Sequence, residues 1–182
     1  MRAVDIFISV GWVIFWIYWL MASAGAKAGR NRWTQFAGFR VGILLVVLLL
    51  LRLRVLKGHE ATSNAWLLGI GTMLFVLGLA LAVWARIYIG RNWGMPMSRK
   101  DEPELVTSGP YRTIRHPIYT GIILAMVGTT IAVSLYWFIA VAVLGAYFSY
   151  SAVTEERYMA EQFPTAYPEY KQSTKMLIPY VF

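Results

Sequence analysis

The sequence predicts an all-α integral membrane protein with about five transmembrane helices. Three observations carry that prediction. Hydrophobic residues make up 58% of the 182-residue chain and charged residues only 14%, too apolar a balance for a soluble domain of this length. Five apolar segments approach the roughly 20 residues that a helix needs to cross the hydrocarbon core. Lys and Arg gather in alternate loops, the pattern of a chain that crosses a bilayer repeatedly.

The first segment, Val4 to Ala24, carries Trp12, Phe15, Trp16, Tyr18 and Trp19. Ala22-Ser23-Ala24 resembles a signal-peptide cleavage site, but these rings and the spans that follow favour a retained helix. The second, Phe36 to Leu56, is trimmed by Arg40, Arg52 and Arg54 to an uncharged stretch from Val41 through Leu51; those arginines are expected to snorkel to the interfaces. The third runs from Ala65 to Ile89 behind the capping oxygens of Thr62, Ser63 and Asn64. Its Gly69, Gly71 and Gly78 are expected to permit close helix packing, because Gly69-x-Gly71 follows no strand and lacks the rest of a dinucleotide fingerprint. The fourth and fifth, Pro117 to Leu135 and Trp137 to about Thr154, form a tight hairpin.

Placing the Gly25 to Gln35 loop, the Gly90 to His116 loop and the C-terminal tail on one side collects there all but Arg2, Arg52, Arg54 and Lys57 of the 17 basic residues. The N-terminus is then outside and the C-terminus cytoplasmic. The formal charge of +8 is scattered between apolar runs, which suits lipid headgroups and argues against nucleic acid. No Cys is present, and the two His, His59 and His116, are far apart, so a His-rich or Cys-ligated metal site is not expected. His59-Glu60 begins like a zinc-protease motif, but no second His follows at the required spacing. All seven prolines lie after Gly90. Residues 1–92 therefore read as a scaffold of smooth helices and 93–182 as the half whose loops carry function.

The densest polar stretch is Gly109 to Gly121, G-P-Y-R-T-I-R-H-P-I-Y-T-G. Pro117 reads as the first residue of a helix, which would aim free backbone N–H groups and a positive dipole end at Arg115 and His116. Composition alone leaves two readings open: an orientation loop, basic because it is cytoplasmic, or an anion site. The fifth segment runs into Glu155-Glu156, expected where the helix leaves the membrane, at the level of Arg115 and His116. Helical spacing sets Tyr147, Ser151, Glu155 and Tyr158 or Met159 on one stripe, with Glu156 pointing elsewhere. One glutamate is expected to face inward and the other solvent. Tyr88, Trp93, Tyr111, Tyr119, Tyr147, Tyr150 and Tyr158 could wall a cavity or anchor helices at the interface.

Leu105-Val106-Thr107-x-Gly109-x-Tyr111, Arg115-His116-Pro117-x-Tyr119-x-Gly121, Glu155-Glu156, Phe163, Tyr167, Tyr170 and Ile178-Pro179 together resemble the isoprenylcysteine carboxyl methyltransferases and their relatives, the phospholipid N-methyltransferases. The likeness runs from about Trp93 to the C-terminus. It implies a bundle of membrane helices with a C-terminal, cytosol-facing cofactor pocket for S-adenosyl-L-methionine, closed by the C-terminal segment. By matching position the cofactor contacts would be Pro103, Glu104, Leu105, Val106, Tyr111, His116, Pro117, Ile118, Tyr119 and Glu155, with Arg115, His116 and Glu155 as catalytic candidates. The family places an arginine for the substrate carboxylate one turn before the cofactor-binding glutamate. Here that position is Ser151, so Ser151 and Tyr147 are the candidates to meet the acceptor, which need not be a prenylcysteine carboxylate.

The leading expectation is therefore an S-adenosylmethionine-dependent methyltransferase acting on a lipophilic acceptor, a small molecule or lipid drawn from the membrane. Alternatives are a phospholipid N-methyltransferase, a sterol-reductase-like NADPH enzyme, or a non-enzymatic membrane scaffold.

Overall fold

The computed structural model describes residues 2–23, 29–30, 62–94, 96–97, 99–100 and 103–178. Helix α1 spans Ala3–Ser23, α2 Ala65–Ile89, α3 Pro117–Val133, α4 Phe138–Gln162 and α5 Ala166–Ser173. The expected span Phe36 to Leu56 lies outside the described residues. Two short extended pairings join the loops. Strand β1 (Gly29–Arg30) runs antiparallel to β2 (Arg99–Lys100), and Ile114 forms a parallel bridge with Lys175.

The helix ends follow from local chemistry. Asn64 caps α2, its Oδ1 accepting from the N–H of Trp66 at 2.9 Å and of Leu67 at 3.4 Å. Gly90 ends the same helix at φ 54°, where an L side chain would be strained. Pro117 opens α3 as expected. That helix stops at Val133 rather than Leu135, and its 17 residues measure about 26 Å, a little short of the hydrocarbon thickness. A single 3-10 turn, Leu135–Trp137, leads into α4. That helix runs 25 residues to Gln162, two turns beyond the expected end, because Glu155 to Gln162 is rich in good helix formers and only Phe163-Pro164 stops it. The sequence reading contained no α5. Pro168 is tolerated there because it falls in the first turn, where backbone N–H groups need no intrahelical acceptor.

Helices α1, α2 and α4 are long and apolar enough to cross a membrane. Their outward faces are apolar: Phe7, Ile14 and Leu20 of α1 and Ile70, Leu77, Trp84 and Ile87 of α2 are exposed, as lipid-facing side chains are. Inside, α2 and α3 run antiparallel in backbone contact. A Cβ added to Gly71 or Gly78 would fall closer than 3.0 Å to the backbone of Gly128 or Ala132 and of Gly121 or Ala125, and the reverse holds for Gly121 and Gly128. Ala82, Ala125 and Ala132 complete the seam, fully buried. Gly69 is not part of it, since nothing lies within 4 Å of its added Cβ.

Polar bolts hold the two ends of the bundle. At one end the Arg2 guanidinium pairs with Asp5 at 2.7 Å and donates to the carbonyls of Thr62, Ala132 and Val133, satisfying the last carbonyls of α3. At the other, buried Arg86 donates to Ala22 O at 2.5 Å and Gly90 O at 2.7 Å, joining the C-terminal ends of α1 and α2. Its guanidinium lies 4.7 Å from the centre of the Trp93 ring.

The seam makes a contrast testable. Gly78→Val or Gly121→Val forces a side chain into a helix backbone and should destabilise by about 1–3 kcal/mol or more. Gly69→Ala, in open space, should be neutral or stabilise by about 0.5–1 kcal/mol. Thermal unfolding in detergent, followed by tryptophan fluorescence, checks both, and equal midpoints for all three variants would refute the seam.

Candidate active site

After α2 the chain turns at Gly90–Asn92 and folds back across the same end of the bundle. Asn92 fixes the returning strand with a reciprocal pair, its Nδ2 donating to Glu104 O at 2.6 Å and its Oδ1 accepting from Glu104 N at 3.2 Å. Five residues on, Gly109 adopts φ 59° with the Tyr88 ring where its Cβ would be, while Tyr88 Oη donates to Ser108 Oγ at 2.9 Å. Glycine at that position is thus required twice, by conformation and by space. The turn Gly109–Arg112 buries Pro110 and Tyr111 and delivers Arg115 and His116 to the start of α3.

These loops, the C-terminal ends of α2 and α4, and α5 enclose a cavity of about 170 Å³. Pro103, Glu104, Leu105, Val106, Tyr111, Arg115, His116, Ile118, Tyr119 and Glu155 all line it. So do Trp93, Tyr158 and Met159, together with Tyr167 and Tyr170 from α5. Ile89, Asn92, Gly94 and Gln162 complete the wall; the sequence reading did not single them out, and only the positions of Ile89 and Asn92 at a helix end hint at them. Pro117 is buried behind the wall. Tyr88 packs on Gly109 and Tyr150 is exposed, so neither joins the cavity.

Ser151 and Tyr147 are not brought to the cavity wall. Ser151 is fully buried, with its Oγ donating to Tyr147 O at 2.8 Å, and Tyr147 packs on Phe148. A hydroxyl on a helix satisfies itself on the carbonyl one turn back, which removes it as an anion donor.

Glu155 is the carboxylate presented to the cavity. Its Oε1 accepts from Tyr119 Oη at 2.5 Å and from the Met97 N–H at 2.9 Å, its Oε2 lies 3.6 Å from His116 Nδ1, and its side chain is 24% exposed. Met97 is fully buried at φ 61°, an uncommon conformation for a residue with a side chain. The imidazole of His116 stacks on Tyr119 with 5.5 Å between centroids and an interplanar angle of 5°, and its buried Nε2 lies 3.7 Å from Glu156 Oε1 and has no hydrogen-bond partner among the described residues.

Glu156 does not face solvent. It is the more buried of the two, with its side chain 7% exposed, and pairs with Arg115 Nε at 2.6 Å and Lys171 Nζ at 2.7 Å. Arg115 is thereby committed inside the protein, and its Nη1 also donates to Thr174 O at 2.6 Å. The backbone N–H groups of the two residues just before α3 are likewise taken. Arg115 N donates to Lys175 O at 2.8 Å and His116 N to Met176 O at 3.1 Å. Helical spacing had placed Glu156 off the cavity correctly, but it faces the C-terminal segment, whose return the spacing rule does not contain.

Burial pushes the phenols of Tyr111 and Tyr170 above the ordinary tyrosine range. They remain protonated donors, and Tyr170 Oη donates to Tyr111 O at 2.6 Å. The cavity therefore combines the Glu155 carboxylate, several aromatic faces and a backbone edge at Pro103 to Val106, a set suited to a ligand carrying positive charge and a flat ring.

Comparison with known proteins agrees with this architecture. Residues 66–166 match the family model described as phospholipid methyltransferase. The cobalt-zinc-cadmium resistance protein CzcN of Cupriavidus metallidurans is 32% identical over 143 residues, covering 77% of this chain and 63% of that protein. Protein-S-isoprenylcysteine O-methyltransferase B of Arabidopsis thaliana is 30% identical over 122 residues, covering 64% and 61%. Among solved structures, a eukaryotic intramembrane Ras methyltransferase, isoprenylcysteine carboxyl methyltransferase, shares the fold with a TM-score of 0.58 at 24% identity, over 83% of this chain and 54% of that one. The chain spans about three fifths of the length of these curated relatives.

Asn92→Ala should free the Pro103 to Val106 edge. Losing the reciprocal amide pair is expected to destabilise by about 1–3 kcal/mol, with Asn92→Asp intermediate because it keeps only the acceptor. Limited proteolysis of the segment around Pro103, with thermal unfolding, reads this out, and wild-type resistance in Asn92→Ala would refute the role.

Proposed function

The chain belongs to the phospholipid methyltransferase family, whose isoprenylcysteine carboxyl methyltransferase-like members it resembles, and from that premise we propose that it is an S-adenosylmethionine-dependent membrane methyltransferase acting on a lipophilic acceptor. The single observation that supports this best is Glu155, a carboxylate fixed by Tyr119 and Met97 yet open to an aromatic-walled cavity. The donor set fits the cofactor: Glu155 would hold its ammonium group, the Trp93, Tyr111, Tyr119 and Tyr158 rings would face its sulfonium and adenine, and the Leu105-Val106 backbone borders the same space.

When bound, S-adenosylmethionine supplies an electrophilic methyl carbon on a sulfonium, open to in-line displacement. The chain's own contribution is positioning and exclusion of water. Tyr119 and the Met97 amide keep the Glu155 carboxylate oriented, His116 stacks behind it, and Tyr167 and Tyr170 of α5 close the solvent side. The acceptor enters from the bilayer, where the apolar faces of α2 and α4 lead to the cavity. Ser151 offers an acceptor carboxylate no cation, so the nucleophile is defined here only as lipophilic.

The distribution of Lys and Arg supports a multi-pass orientation with the cavity end cytoplasmic and the N-terminus outside. The division into a scaffold (1–92) and a catalytic half (93–182) is kept with one change, since Ile89 and Asn92 of the scaffold line the cavity. Two relatives are named for metal resistance, but a sequence with no Cys and two His gives stronger support to methyl transfer than to metal capture.

Calorimetry on the purified protein is the test. S-adenosylmethionine should bind saturably while NADPH does not. Glu155→Gln should weaken binding about 10- to 100-fold, the worth of a charge-assisted hydrogen bond, and His116→Ala should also weaken it. Unchanged affinity in both variants, or NADPH binding in place of S-adenosylmethionine, would overturn the assignment.

A further inference from the structure

Adjacent glutamates on one helix point about 100° apart, and here each meets a different structure. Glu155 faces the cavity. Glu156 faces the C-terminal strap, Thr174 to Leu177, and the α5 wall that precedes it. The contacts converge on this one carboxylate. Its Oε1 takes Arg115 Nε at 2.6 Å and its Oε2 takes Lys171 Nζ at 2.7 Å. Arg115 in turn donates to Lys171 O at 3.3 Å and Thr174 O at 2.6 Å, the carbonyls at the end of α5, where a cation is favoured by the helix dipole.

Beyond that point the strap hydrogen-bonds to the segment from Thr113 to Thr120, and its Met176 and Leu177 are buried in the main core. Lys175 N donates to Thr113 O at 3.2 Å and Thr120 Oγ1 to Leu177 O at 2.6 Å, beside the two backbone bonds already described. Tyr167 and Tyr170, on α5, form one side of the cavity. The wall and the strap are thus fastened to the membrane bundle by backbone bonds, apolar packing and a buried ionic hub, one arm of which, Lys171, is 54% exposed while Glu156 is 7% exposed.

We propose that Glu156 is the positioning residue of the site: through Arg115 and Lys171 it latches the strap and the α5 wall over the cavity, and so sets how long a bound donor stays although it never touches the donor. Removing its charge leaves the Arg115 guanidinium buried without its counter-ion, which loosens Arg115 from the strap carbonyls as well. Removing only Lys171 takes away the exposed arm and leaves the Arg115 pair intact. The latch itself stands on the contacts of Glu156, Arg115 and Lys171, whereas its effect on residence time rests on the donor-binding reading given above.

Hydrogen–deuterium exchange on the whole chain in nanodiscs, without ligand, tests the latch. In Glu156→Gln the amides of Arg115, His116 and Lys175 should exchange about tenfold faster or more, and in Lys171→Ala a few-fold faster, while amides at the α2–α3 seam near Ala82 and Ala125 keep their rates. Unchanged strap rates would overturn the proposal, and so would equal acceleration at the seam, the mark of a general loss of packing. Stopped-flow release of S-adenosylhomocysteine is the second arm. Lys171→Ala should release it several-fold faster, with KM for S-adenosylmethionine rising more than kcat falls, and Lys171→Arg should restore the wild-type rate. Unaltered release from a loosened strap would overturn the residence role. If the wild type bound neither compound, the proposed function would fall and exchange alone would decide the latch.

Discussion

The backbone contact between α2 and α3 is the constraint on which the rest of the structure depends. Four glycines and three alanines bring the helices so close that each added Cβ would meet backbone. In a bilayer such contact is favoured by van der Waals packing rather than by hydrophobic burial, because lipid tails are as apolar as the helices. It also fixes the longitudinal position of α3 relative to α2. The end of α2, with Arg86, Ile89 and Asn92, and the start of α3, with Arg115 and His116, are consequently held at one level. The loop walls of the cavity are hung from these two ends, and α4 and α5 supply the rest.

On that frame the charged groups are divided with little waste. Arg2 and Arg86 are spent on helix carbonyls at opposite ends of the bundle, where they satisfy groups that lipid could not. Arg115 is spent on Glu156 and the strap. Among the described cavity-lining residues this leaves Glu155 as the deep carboxylate with exposed surface, and the aromatic rings as its complement. A cationic ligand is thus matched by position, with Arg115 already paired to Glu156 rather than to Glu155.

Much of this was legible in the sequence because it follows from local rules. Apolar length and capping gave α1, α2 and the start of α3; Asn64 and Pro117 stand where cap chemistry puts them. Gly71 and Gly78 were legible as packing glycines, whereas Gly69 has the same local signature and a different fate, because only the partner helix distinguishes them. The family resemblance listed cavity residues well beyond what spacing could supply. The resemblance implied that the C-terminal segment closes the pocket, but neither source supplied the contacts that hold it there. Glu156, Arg115 and Lys171 are 41 and 15 residues apart along the chain from Glu156, and no periodicity relates them. The fate of Arg115 could not be read without knowing what lies across from it.

The local conformation at Met97 then gains a physical reason. A buried residue with a side chain at φ 61° costs on the order of 1 kcal/mol or more, and it persists only where surrounding contacts over-determine it. One such contact is the hydrogen bond from its N–H to Glu155, and Tyr119 holds the same oxygen from the opposite element. The carboxylate is consequently oriented before any ligand arrives, so a bound cation need not organise it. The second glutamate acts in the same sense, since it fixes the wall rather than the ligand. Two neighbouring residues of one helix, pointing in different directions, therefore contribute preorganisation to two parts of a single site.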